Sequence, residues 1–540
     1  MKISRRSFLF ASFGSLIGLI GFKKIWNLSH PRFTGKIMGA SHERGHLLRS
    51  KTFTQPDQIE RKKIVIVGGG IAGLSAAWKL NKSGVDDFAL LELEDEVGGN
   101  SASGSNSTSA YPWGAHYIPL PGKEARAVNE LFEELKVIEG YDLKGLPKFN
   151  ELYVCGAPDE RLFILGQWQE GIVPQIGIQP EDKKQYQNFF QAMGRYKIAK
   201  GKDRKKAFAI PLELSSQDPE FTSLDRISME KFMDQNGWNS IPLRWYVNYC
   251  CRDDYGCEMK DVSAWAGIHY FASRAGKTQD GDDHEVLAWP EGNGWIVQQL
   301  KKKISNQIRP KSLAYKISQS GSKTHVDYYD FQNDRTHRIE CDHVIYCAPK
   351  FTASYIVENF KKEMTTGLSY APWMVANLTL NQLPAGEGAS LSWDNVIYQS
   401  PSLGYIDAKH QSLSQYKSAT VITHYTPLSS QDPGVERKLA LARSYEDWSS
   451  MVLKDLKYAH PDIETMIKEL NVWVWGHAMA RPTPDLIWNQ RLKWPKQLGN
   501  IHFAHSDMSG LSIFEEAQYH GVFASESILK SMNHKFTTSL

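Results

Sequence analysis

The sequence predicts an α/β fold: a Rossmann-like domain, built on a parallel sheet with a crossover β-meander, interleaved with a second domain of mixed sheet plus helices. Three observations predict it. An apolar run, Ile64–Val67, leads directly into a glycine turn and an Ala-rich amphipathic run. A second apolar run, "FALLEL", follows and ends at Glu92, as a strand–helix–strand unit requires. The chain has 540 residues, too many for one small domain, and its middle holds a helix-rich stretch and then a strand-rich one.

The first strand reads as buried on both faces, because Ile64 to Val67 are apolar without alternation. Gly68, Gly70 and Gly73 then spell G-x-G-x-x-G, with Ala72 inside the motif. The first glycine allows a tight turn, the second lets backbone approach a pyrophosphate, and the third lets the helix pack closely on its strand. The helix from Ile71 points its N-terminus at the phosphates, where free N–H groups and the helix dipole favour negative charge. Glu92 stands at the distance expected of an acid that takes ribose hydroxyls. Strands, helix, glycines and acid together predict dinucleotide binding.

Composition excludes other classes. With 41% hydrophobic and 23% charged residues the chain reads as globular, not disordered. A formal net charge of +3, part of it at the extreme N-terminus, gives no reason to expect nucleic acid. Sixteen Trp and 23 Tyr suit an aromatic-lined cavity and equally a large core. Of the six Cys, Cys250, Cys251 and Cys257 lack zinc-site spacing, and Cys347 reads as a buried small hydrophobe. No metal is expected, and the disulfide state stays open.

Residues 1–28 form a segment of their own. "SRRSFLF" precedes an apolar run of about 15 residues, short for a membrane span. Arg5-Arg6 with their neighbours resemble a twin-arginine export signal. That implies passage through the twin-arginine translocase as a folded, cofactor-loaded protein and a periplasmic or other extracytoplasmic location. The lack of a small-x-small site after Phe22 leaves an uncleaved inner-membrane anchor open. Residues 29–60 read as a polar linker arm on the surface. Within it "HERGH" (His42–His46) matches H-E-x-x-H in letters only, because Gly45 interrupts the motif and no third ligand is evident.

Past Glu92 the sequence resembles the flavin-containing amine oxidoreductases, the family of monoamine and polyamine oxidases and related desaturases. The stretch "LEDEVGGNSASG" places Gly98 and Gly99 where that family's acid-to-glycine segment contacts the FAD ribose and pyrophosphate. "YPWGAHYIP" is similar to its segment running past the flavin, with Gly114, Ala115 and His116 on the matching positions. "NGWIVQQLKKKI", "HVIYCAPKF" and "IHFAHSDMSGLSIFEEAQYHGVFASESIL" resemble its later motifs. Ser506 stands where glycine is usual, Asp507 keeps the acid, and Glu516, Ala517 and Gly521 fall imperfectly on the closing positions. The resemblance implies FAD, bound non-covalently since no Cys follows Cys347. It also implies domain limits: 61–150, 285–351 and 485–540 for FAD, 152–284 and 352–484 for substrate.

Ser512 and Glu515 read as a capping box starting a helix at about Ile513, which would aim its N-terminus at the flavin. Trp473 and Trp475 share one strand face, so they form either a cavity wall or plain core. Trp475 and His505 are the candidate catalytic residues. Residues 364–384 contain no Lys where many family oxidases hold one near the flavin, which speaks against fast reaction with oxygen. Three readings follow: hydride transfer from a small-molecule amine to flavin; a desaturase or dehydrogenase on an apolar substrate with another acceptor; and a binding protein that kept the fold without turnover.

Overall fold

The computed structural model describes residues 33–274, 276–277, 285–412 and 418–540. The Arg5-Arg6 pair and the apolar run after it lie outside the described residues. Among those residues no helix is long and apolar enough to cross a membrane.

The chain enters through strand β1 (Ile37–Gly39) and helix α1 (His42–Ser50). Strand β2 (Gln58–Val67), helix α2 (Ile71–Lys82) and strand β3 (Phe88–Leu91) form the predicted unit, with β2 and β3 paired in parallel from Ile64–Phe88 to Val67–Leu91. Ile64, Val65 and Ile66 are wholly buried, which explains the unbroken apolar run: layers cover both faces. The first insertion supplies β4 (Glu160–Ile164), β5 (Gln167–Glu170) and α3 (Ile241–Tyr255). Next come β6 (Ile308–Arg309), β7 (Ser312–Ser320), β8 (Lys323–Asp330) and β9 (Arg335–Tyr346). The second insertion gives β10 (Tyr370–Leu380), β11 (Asp394–Ile397), β12 (Tyr405–Asp407), β13 (Thr420–Pro427) and β14 (Ile467–Ala480). Strand β15 (Ile501–Phe503) and helix α4 (Phe514–Ser531) end the fold.

The first sheet has the order β6-β3-β2-β9-β8-β7, and β15 joins β9. It is parallel from β6 through β9 and β15, and antiparallel along the meander β7-β8-β9. Tyr346 lies opposite both Val67 and Phe503, so three strands end together and open the crevice where such sheets take ligands. The second sheet runs β1-β14-β10-β13-β12-β11-β4-β5 and is mixed: β14, β10 and β13 pair antiparallel, while β1–β14 and β11–β4 are parallel. Helices α2 and α4 approach closely because Gly521 has no side chain; a Cβ there would lie 2.1 Å from Ala72 O.

The arm is more ordered than its linker-like composition suggests. β1 pairs with β14, Ile37 opposite Val472, and Phe33 is buried beside Leu470 and Trp448. "HERGH" does lie on a helix, with the His42 and His46 rings 5.6 Å apart. Among the described residues no three His, Cys, Asp or Glu side chains are grouped to hold a metal ion. All six cysteines are buried and free.

Candidate active site

The glycine turn is built on contact distances. A Cβ at Gly73 would stand 1.9 Å from Gly68 O, so only glycine lets α2 start against the end of β2. Gly68 itself has φ +103°, as does Gly98 at +140°, in the region that side chains avoid. The two glycine turns meet, Gly98 N–H donating to Gly69 O at 2.9 Å. Glu92 sits below them. Its Oε2 accepts the Gly69 N–H and its Oε1 the Glu94 N–H, both at 2.8 Å. Burial pushes its pKa up to about 7.

From this turn a trail of partly exposed residues runs through the interior: Gly70, Gly114, Ala115, Ala348, His505 and Ile513. We read this line of partial exposure as a candidate cofactor channel. Asp507, two residues past His505, is completely buried. One carboxylate oxygen accepts the Lys350 N–H at 2.8 Å and the Tyr370 hydroxyl at 2.5 Å. The other, Oδ1, has no donor among the described residues. His505 Nδ1 is 3.1 Å away but already accepts the Asp507 N–H, so in that tautomer it carries no proton to give. An orphaned buried carboxylate oxygen fits a ligand hydroxyl.

The expected capping box does not form. Helix α4 has Ile513 as its N-cap and no side-chain cap. Ser512 instead accepts the Ala480 N–H at the end of β14, 2.8 Å away. The hydroxyl falls one residue too early and is used to tie the two sheets. The first turn of α4 therefore has no N-cap side chain on its N–H groups, though the Glu515 N–H meets its own carboxylate, and Ile513 and Ala517 are half-buried there. Glu516 does not send its side chain to the channel. Its carboxylate accepts Leu212 N–H at 2.6 Å and the Ser509 hydroxyl at 2.5 Å, and burial raises its pKa to about 7. Only its backbone is left to meet a cofactor.

Beyond Gly114 stand a group of aromatic side chains and a group of acidic ones. The His116 ring stacks on Tyr425 at 4.6 Å and stands 5.5 Å from Trp393, and Tyr425 hydroxyl donates to Gly114 O at 2.9 Å. Burial lowers the His116 pKa to about 4, so the ring is neutral. Tyr117 donates to Asp253 at 3.3 Å and Tyr249 to Asp394 at 3.5 Å. The β4–β11 register sets Asp394 opposite Glu160. Arg274 reaches Asp254 at 2.5 Å and lies over Tyr270. Its guanidinium is bonded to Asp254 and its charge is felt by Glu160 and Asp253. Burial, aided by neighbouring acids, raises Glu160 and Asp253 to about 7 and Asp394 well above its ordinary value. Such a cluster asks for cations.

Trp475 and His505 both border the channel, half-buried. The Trp475 indole N–H donates to Trp113 O at 2.7 Å, one residue before Gly114, and its ring is 5.2 Å from Trp473. Strand β10, buried throughout, carries no lysine. The acidic group was not foreseen. Its one signal is the Asp253-Asp254 pair at the end of an otherwise aromatic and apolar helix; Glu160 and Asp394 are joined only by strand pairing across the insertions.

Residues 66–135 match the model of an NAD(P)-binding Rossmann-like domain. A flavin-containing amine oxidase of Oncorhynchus mykiss is 25% identical over 276 residues, 49% of this chain and 46% of that one. The chain thus spans about half the length of the curated relatives it matches. A putrescine oxidase structure with bound putrescine superposes with a TM-score of 0.64 at 15% identity, over 87% of this chain and 100% of that one. Cyclohexylamine oxidase from Brevibacterium oxydans gives a TM-score of 0.63 at 15% identity, over 87% and 99%. The chain has the fold of these amine oxidases.

Proposed function

We propose that the protein is an FAD-dependent oxidoreductase that oxidises a cationic amine to an imine. The observation that carries the amine is the cluster of acidic side chains beyond Gly114, where the Asp253-Asp254 pair meets Tyr117 and Arg274 and Asp394 stands opposite Glu160 and within reach of Tyr249. With an apolar substrate those carboxyls would stay largely protonated, as their raised pKa values indicate; an ammonium group supplies the counter-ion that lets them ionise.

The residues present suit FAD. Glu92 would take the ribose hydroxyls, the first turn of α2 and Gly98-Gly99 the pyrophosphate, Asp507 Oδ1 a hydroxyl, and the uncapped N-terminus of α4 the ring end. Bound there, FAD would supply the acceptor for a hydride from the carbon next to nitrogen. The chain's part is placement and proton control. His116, Trp393 and Tyr425 exclude water from the reacting carbon. Carboxylates with pKa near 7 hold the ammonium and take its proton. Trp475 shapes the wall beside Gly114, and His505 is the polar side chain nearest Asp507 on the channel.

A second reading concerns the electron acceptor. The lack of lysine in β10 favours a dehydrogenase that passes electrons to a quinone or other carrier. Residues 4–24 support export through the twin-arginine translocase to the periplasm, with the same segment as a membrane contact. Flavin released from the purified protein by heat, identified by mass, tests the cofactor. Turnover of an amine with a redox dye and without hydrogen peroxide would favour the dehydrogenase; fast peroxide release would favour the oxidase.

A further inference from the structure

The arm makes bonds that a surface linker does not need. Ser41 donates its backbone N–H to one oxygen of Glu94 and its hydroxyl to the other, both at 2.7 Å. Arg44 donates to Leu93 O at 3.2 Å and to Asp95 at 2.7 Å. The Glu94 N–H then holds Glu92 Oε1, whose partner oxygen holds Gly69 N–H. Ser41 is therefore two hydrogen bonds from the acid assigned to the ribose.

The other end of the arm is fixed to the second sheet. Leu470 N–H donates to Thr34 O at 2.9 Å, and Val472 N–H to Lys36 O at 3.0 Å. Gly35 is pressed so closely on β14 that a Cβ would stand 1.8 Å from Leu470 O. β1 ends opposite Val474, next to Trp475 on the channel wall. Residues 33–50 thus bridge one sheet's channel-lining strand and the other sheet's ribose loop.

We propose that this arm is a clasp that retains FAD, with Ser41 and Arg44 as positioning residues for Glu92. The proposal rests on the FAD reading of the channel. With the clasp in place Glu94 is held by both of its oxygens, and its N–H keeps the Glu92 carboxylate facing the nucleotide. Without it the ribose loop loses its side-chain ties to the second sheet's arm, and the cofactor leaves more easily.

The test uses the full chain loaded with FAD, diluted and followed by the rise in free-flavin fluorescence. The Ser41→Ala/Arg44→Ala double variant is expected to release FAD at least about tenfold faster, since hydrogen bonds to charged groups are lost. Ser41→Thr alone should keep the parental rate. Glu94→Gln, acting from the other side of the contact, should accelerate release as well. The double variant and Glu94→Gln should lower the melting temperature of the flavin-loaded protein more than that of the flavin-stripped protein, because the lost bonds also hold the cofactor. Unchanged release from a yellow double variant overturns the clasp and leaves the FAD reading intact. Faster release with an equal fall in the melting temperatures of the loaded and the stripped protein overturns it too. A parental protein that takes up no flavin overturns the FAD reading and the clasp together.

Discussion

Tyr370, the first residue of β10, donates its phenol hydrogen to Asp507, just past β15, at 2.5 Å. One bond thus joins the two sheets. Burial holds the Tyr370 pKa well above its usual value, so the phenol remains a donor at any working pH. Tyr370→Phe should lower stability by about 1.5–3 kcal/mol, the range for a hydrogen bond to a charged partner. It should also weaken FAD binding, because Asp507 is left freer to turn. Thermal melting and titration of the stripped protein with FAD check both effects.

Gly73→Ala should abolish flavin binding. The new Cβ would lie 1.9 Å from Gly68 O, and neither backbone can withdraw without opening the β2–α2 turn. A cost of at least about 1–3 kcal/mol follows from overpacking alone. Gly140→Ala is the control, since a Cβ there meets nothing within 4 Å. The absorbance ratio of flavin to protein reads the outcome.

Glu516 is expected to make stability fall with rising pH. Its folded pKa is raised from 4.5 to about 7 by burial, so the native state holds a proton that the unfolded chain has released. The contribution is fully present below pH 4.5 and is lost as pH rises to about 7. Glu516→Gln keeps an acceptor for Leu212 N–H and removes the titration. Its melting temperature should vary less over that range than the parent's, by on the order of 1 kcal/mol of stability.

Asp253→Asn and Glu160→Gln should weaken binding of an amine about tenfold or more while leaving FAD content unchanged, because each removes a charge from a buried site. Amine binding should tighten as pH rises through about 7, where these carboxylates ionise and the amine is still a cation. Isothermal titration of the two variants across that range checks the loss and the slope together.

The Rossmann half was legible because its constraints are local. A both-faces-buried strand and a close helix approach each dictate residue type within a few positions, and Ile64–Val67 and Gly73 stand as read, with Glu92 at the end of the second strand and bonded to the glycine turn. The cap of α4 was misread because Ser512 is claimed by Ala480 N–H from a strand more than 30 residues earlier, a contact that no local pattern announces. The arm was misread for the same reason: polar composition says nothing of Phe33 being buried or of Ser41 finding Glu94. The acidic group lay furthest from view. Asp394 and Glu160 meet only through pairing of β11 with β4, across more than 230 residues of chain.

The most direct test of the central claim is the visible spectrum of the purified protein without oxygen, before and after addition of mono-, di- and polyamines and of uncharged alcohols matched in length. The account predicts a yellow protein that at least one amine bleaches and that the matched alcohols leave unchanged. A yellow protein that no amine bleaches, or one that uncharged compounds bleach equally well, would contradict the amine reading, and a colourless protein that cannot be loaded with FAD would contradict the cofactor as well.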